Sequence, residues 1–159
     1  MADSSWHIAQ FNVARALAPT DSPLLAPFMA QLDTINELAE RSPGFVWRLK
    51  GDSGNATDIQ IGDDPLFLVN FSVWTSIDAL FDFVYRSAHQ GVMASRRQWF
   101  ERPTEAHLVM WWIPAGHVPT TSEGLARLEQ LRKLGPTPEA FVFKQRFPPP
   151  GDGRAGTTG

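Results

Sequence analysis

The chain has 159 residues, the size of a single domain, and its 14 Lys and Arg against 17 Asp and Glu give a net charge of −3. The absence of cysteine excludes a disulfide scaffold, a Cys-ligated zinc site, an iron–sulfur cluster and a thiol nucleophile. The charge implies no basic surface of the nucleic-acid type, no apolar run approaches the ~18–20 residues of a membrane span, and Met1 to Trp6 lacks a signal peptide's basic and apolar regions. The expectation is a soluble cytoplasmic protein.

Trp6 to Val13 reads as a strand, with Ile8, Phe11 and Val13 favouring extended backbone. A loop through Pro19 and Pro23 leads to a helix over about Pro27 to Arg41. Phe28, Leu32, Ile35 and Ala39 recur there at helical spacing, flanked by Met29 and Asn36. Ser42-Pro43-Gly44 stops it, and Phe45 to Leu49 is a second strand. Lys50 to Pro65 is a long polar connection whose acids lack the ligand spacing of a calcium loop. Leu66 to Trp74 is the plainest strand: Phe67, Val69, Phe71 and Val73 share one face, and Leu68, Asn70, Ser72 and Trp74 the other. A helix with the buried stripe Ile77, Leu80, Phe81 and Val84 follows, and the helical pattern continues past a bend at Ala88–Gly91 to Phe100. His107 to Ile113 is a fourth strand. Thr120-x-x-Glu123 is a capping box that opens a helix to Leu134, stopped by Gly135-Pro136. Alternating Phe141, Phe143 and Phe147 suggest a last strand covering an edge. The organisation expected is one domain over residues 1–147 and a disordered Pro/Gly-rich tail over 148–159.

The order β-α-β-β-α-β, with an added helix and strand, is the ferredoxin-like α+β arrangement. Its antiparallel sheet has helices on one face. The other face, carrying the row Phe67–Val73, would be bare and apolar, and a homodimer closing two sheets into a barrel is the simplest cover.

Several segments resemble one bacterial family: Trp6-His7-Ile8-Ala9-Gln10-Phe11-Asn12-Val13, Ser42-Pro43-Gly44-Phe45-Val46-Trp47-Arg48-Leu49, Phe71-Ser72-Val73-Trp74-Thr75-Ser76, Tyr85-Arg86-Ser87-Ala88-His89 and Trp111-Trp112-Ile113-Pro114-Ala115-Gly116-His117. They look like the domain-of-unknown-function family thirty-two ninety-one. That family resembles the dimeric α/β-barrel superfamily, which includes the antibiotic-biosynthesis-type monooxygenases. The resemblance implies the barrel fold and admits cofactor-free monooxygenases, haem proteins, lyases, isomerases and non-enzymes.

No phosphate loop, dinucleotide fingerprint, nucleophile elbow or zincin motif is present. His89 stands out among four histidines. It follows Tyr85 by four residues, and Val92, Arg96 and Trp99 extend the same helical stripe. An imidazole, a guanidinium, a phenol and an indole in line suit an oxygenated aromatic ligand. The alternative is that Arg86, Arg96 and Arg97 form a solvated face and His89 bonds a carbonyl. A second set comes from strand parity. Gln10 and Asn12 share a face of the first strand, and Asn70, Ser72 and Trp74 share a face of the third. If these face the helices, they line a cavity, or else satisfy one another in a core network. Asn12, Trp74 and Arg86 match by position and type the Asn, Trp and Arg that the superfamily's monooxygenases use.

The expected function is a small-molecule enzyme, a cofactor-independent monooxygenase-like oxidoreductase acting on an aromatic or polyketide-like metabolite. His89 would be its base, Arg86 or Arg96 its anion stabiliser, and Gln10, Asn12, Asn70, Ser72, Trp74, Tyr85 and Trp99 its substrate-binding wall. No metal or cofactor is expected; haem, with His89 as axial ligand, is the alternative. A lyase, isomerase or cyclase on the same pocket, or a binding module without catalysis, are the rival functions.

Overall fold

The structure, a computed structural model, describes residues 5–50, 59, 62–86 and 98–150. Four strands form one antiparallel sheet: β1 (Trp6–Arg15), β2 (Phe45–Arg48), β3 (Phe67–Trp74) and β4 (Leu108–Pro114). Their order is β2-β3-β1-β4, so β1 and β3 are the central pair, as the ferredoxin-like reading requires. Register places Asn12 opposite Asn70 and Gln10 opposite Ser72. Among the described residues three helices accompany the sheet: α1 (Ala26–Arg41), α2 (Ile77–Arg86) and α3 (Thr121–Leu134).

Local chemistry sets the element ends. Pro27 sits in the first turn of α1, where its missing N–H is no loss. Gly44 turns the chain into β2 with φ near +85°, and a Cβ there would lie 2.5 Å from the Ala79 Cβ, so both backbone and space demand glycine. Thr120 and Glu123 form the reciprocal capping box of α3.

Alternation splits the core in two. Ile8, Trp74 and Met110 face α1 and α2, packing with Ala39, Leu80, Phe83 and Val84. Phe11, Val13, Phe71, Val73 and Trp111 face the other way and pack with Leu128 and Leu131 of α3. This corrects the expectation of a bare second face. Val69, Phe71 and Val73 are buried within one chain, because the added helix docks on them. The apolar row therefore gives no reason of its own for a second copy.

The C-terminal segment does cover an edge, through a single bridge in which Phe141 and Met110 exchange both backbone bonds at 2.9 Å. Another expectation needs correction. The helix was expected to run on to Phe100, but residues 98–99 form a turn and Phe100 bridges Ala16. Among the described residues, no helix is long and apolar enough to cross a membrane.

Candidate functional site

The face of the sheet turned toward α1 and α2 is apolar at its β1-start end and polar in the middle. There the pleat stacks Gln10 and Asn12 beside Ser72 and Asn70. Five hydrogen bonds tie them together. The Asn12 Nδ2 donates to Gln10 Oε1 at 2.8 Å and to Asn70 Oδ1 at 3.3 Å. The Gln10 Nε2 donates to Asn70 Oδ1 at 2.7 Å and to Ser72 Oγ at 3.1 Å. The Trp74 indole donates to Ser72 Oγ at 2.9 Å. Gln10, only 4% exposed, is the hub. Asn70 is exposed although it sits mid-strand in a central position, because no side chain fills the space above it.

That space is a cavity of about 560 Å³ between the sheet, α1 and α2. The sheet side supplies the amide row and Trp74, α1 supplies Leu32, Ile35 and Asn36, and α2 supplies Leu80, Phe83 and Tyr85. Phe28 and Phe100 close it toward the β1 C-terminus. The Trp74 indole is fixed by stacking on Phe83, centroids 5.2 Å apart, and by Phe45 edge-on at 5.4 Å. Size and mixed lining are those of a small-molecule site.

The structure brings together six of the residues expected from the sequence: Gln10, Asn12, Asn70, Ser72, Trp74 and Tyr85. Both readings of the polar parity hold at once, since the groups satisfy one another and also line a cavity. Trp99 is not part of the wall. It is buried in a separate cluster beneath the first loop, 5.5 Å from Phe28, because the turn at 98–99 takes it off the helical stripe assumed for it. His89, Arg96 and the side chain of Arg86 lie outside the described residues.

Three polar lining residues were missed: Asn36, Arg48 and Lys144. Arg48 is opposite Ser72 in register, so it points to the same side. Its side chain is 14% exposed and its Nε donates to Glu40 Oε2 at 2.8 Å. Asn36 is 8% exposed, and among the described residues its side-chain amide has no hydrogen-bond partner. In the sequence it shows only as a polar residue flanking the apolar stripe of α1.

An α+β sandwich of ferredoxin-like topology with a ligand-sized cavity under its helices defines the class. Within it, residues 7–156 match the DUF3291 family, a domain of unknown function, and the chain belongs to that family. No curated protein matches the chain in sequence. Among solved structures, a conserved protein from Methanosarcina mazei Go1 is 15% identical over 69% of this chain and 95% of its own, with a TM-score of 0.51, which supports the fold. The chain is also similar to SnoaB, a cofactor-independent oxygenase from Streptomyces nogalater, at 16% identity over 70% of this chain and 95% of that one, TM-score 0.47. A protein of unknown function from Nitrosomonas europaea is 15% identical over 74% and 98% of the two chains, TM-score 0.45.

Proposed function

We propose that the chain is a monooxygenase-like oxidoreductase that binds a flat, mainly apolar aromatic or polyketide-like molecule in this cavity and works without a bound cofactor. The observation that carries the binding is the amide row of Asn12 and Asn70 on the floor of an otherwise apolar space. Such a row hydrogen-bonds the oxygens of a flat substrate while Trp74 and Phe83 flank its rings. In the chemistry proposed, a base removes a proton from an activated methylene. The carbanion passes an electron to dioxygen, and the radical pair closes a C–O bond as a peroxide. Loss of water leaves a carbonyl, so one oxygen atom stays in the product and the other leaves as water. His89 is the base in this scheme, and Arg86 or Arg96 holds the anion. The protein's part is orientation, charge stabilisation and exclusion of water.

The test is an oxygen electrode with a hydroxylated anthrone. One dioxygen consumed per carbonyl formed supports the reading, and His89→Ala should abolish it. Conversion without oxygen uptake would place the chemistry with lyases or cyclases. A non-catalytic binding module is the second reading. It is favoured by the mutual satisfaction of Gln10, Asn12, Asn70 and Ser72, none of which exchanges a proton at neutral pH. Binding of the anthrone with no turnover would establish it.

Assembly as a homodimer is part of the proposal. The exposed aliphatic side chains of Leu17, Leu24, Val46, Val118 and Leu134 offer apolar surface for a second copy to cover. Light scattering should then return about twice the 17.7 kDa chain mass, and a clean monomer would refute it.

A further inference from the structure

The cavity is electrically one-sided. The protein as a whole carries −3, yet no Asp or Glu is among the described residues that line the cavity, while Arg48, His107 and Lys144 are. Lys144 is exposed at the rim, whereas the Arg48 side chain is mostly buried in the wall.

Three groups converge on the β2 side, and all three are donors. Arg48 commits its Nε–H to Glu40, and among the described residues its four remaining N–H groups have no partner. Ser72, its cross-strand neighbour at about 4.5–5.5 Å between Cβ atoms, accepts two N–H bonds, from Gln10 and Trp74. Both lone pairs of its oxygen are then occupied, and only its O–H is left to give. Asn36 stands one helical turn before Glu40, so the Arg48–Glu40 pair anchors the guanidinium close to the unpartnered Asn36 amide. Asn36 lines the cavity, so its amide can donate to a ligand oxygen there. The charges also sum in favour of an anion. Glu40 Oε2 is shared between Arg48 at 2.8 Å and Lys50 at 4.0 Å, so two cations meet one carboxylate.

We propose that the β2 side of the cavity is an anion subsite. Arg48, Asn36 and Ser72 receive one ionised oxygen group of the ligand, and the aromatic body lies along the apolar wall toward Phe28 and Phe100. The ligand class is thereby narrowed to an aromatic monoanion, a carboxylate or an ionised enol or phenol. This rests on the cavity being the binding site, and it does not depend on the oxygen chemistry.

The experiment compares 2-naphthoate with its neutral isostere 2-naphthamide by titration calorimetry at low ionic strength. The intact protein should bind the anion at least tenfold more tightly. Arg48→Gln should bring the ratio to about one with the naphthamide affinity kept within twofold, and Lys50→Gln should lower the preference without abolishing it. The double variant Glu40→Gln/Arg48→Gln leaves no unpaired carboxylate and should behave as the single Arg48 variant, which guards against a folding defect. Equal affinity of the intact protein for both probes overturns the subsite and spares the cavity reading, as does a preference that survives in the double variant. Failure of both probes to bind overturns the cavity reading as well.

Discussion

Gly124 lies flat against the ring of Phe11: a Cβ placed on it would come within 2.5 Å of the ring's Cδ1. Phe11 is on the central strand and Gly124 in the first turns of α3, so this contact is the point where the added helix reaches the sheet. It explains why the apolar face that a four-stranded sheet of this type would leave open is closed inside one chain.

Gly124→Ala should therefore destabilise the fold. A methyl there overpacks the core at a cost of about 1–3 kcal/mol. Alanine in a helix returns about 1 kcal/mol of that relative to glycine. The net expectation is a loss of up to about 2 kcal/mol in urea denaturation, and more for Gly124→Val. A stabilised alanine variant would mean that α3 does not sit on Phe11.

The hub of the amide row makes a sharper case. Gln10 serves three partners, Asn12, Asn70 and Ser72. Gln10→Leu keeps the volume but takes one hydrogen bond from each partner, leaving, among the described residues, Asn12 and Asn70 only their mutual 3.3 Å bond and Ser72 only the Trp74 indole. A loss of about 1–3 kcal/mol is expected, with ligand affinity falling too because Asn12 and Asn70 are no longer held. A variant as stable as the parent would show that water substitutes freely there.

Strand parity made the sheet side of the site legible, because the period of two in β1 and β3 runs without interruption and places Gln10, Asn12, Asn70 and Ser72 together. Parity fails in β2. A bulge between Phe45 and Trp47 shifts the register, so Phe45 packs under α2 while Trp47 joins the opposite core. Arg48 thereby faces the cavity, which four residues of alternation could not show. Asn36 was hidden for a different reason: a polar residue beside an apolar helical stripe reads as solvent-facing unless the opposing wall is known. Trp99 was misplaced by extending a helical period across a segment that ends in a turn.

The Arg15–Asp64 pair gives a pH prediction. The Arg15 Nε donates to Asp64 Oδ2 at 2.7 Å, Arg15 also pairs with Glu101, and the Leu66 N–H donates to Asp64 Oδ1 at 2.9 Å. The Arg15 hydrogen bond first, and the Leu66 N–H second, hold the Asp64 carboxyl below its ordinary value of 3.8. A carboxylate whose folded pKa is depressed favours the fold above its unfolded pKa, and that contribution disappears as pH falls through the folded value. The carboxyl resonance of Asp64 should thus titrate below 3.8 in the folded protein, and Arg15→Gln should move its midpoint upward. A midpoint at or above the ordinary value in the parent would refute the clamp. The pair is solvent-exposed, so its effect on overall stability should be small.

Asn36 separates stability from function. It is mostly buried in α1, lines the cavity and has no hydrogen-bond partner among the described residues. Asn36→Leu extends the apolar stripe of Leu32 and Ile35 and replaces a weak helix former by a strong one. Each change favours the folded state, and together they should raise stability by about 1 kcal/mol, seen as about 2–4 °C in melting temperature for a domain of this size. The same substitution takes a donor from the subsite formed with Arg48 and Ser72. Affinity for 2-naphthoate should fall several-fold while that for 2-naphthamide falls less, since the neutral probe makes less use of the site. A residue retained for packing alone would behave in the opposite way, losing stability when replaced and leaving the two affinities in their original ratio. A variant that melts lower than the parent and keeps its preference for the anion would therefore remove Asn36 from the binding site.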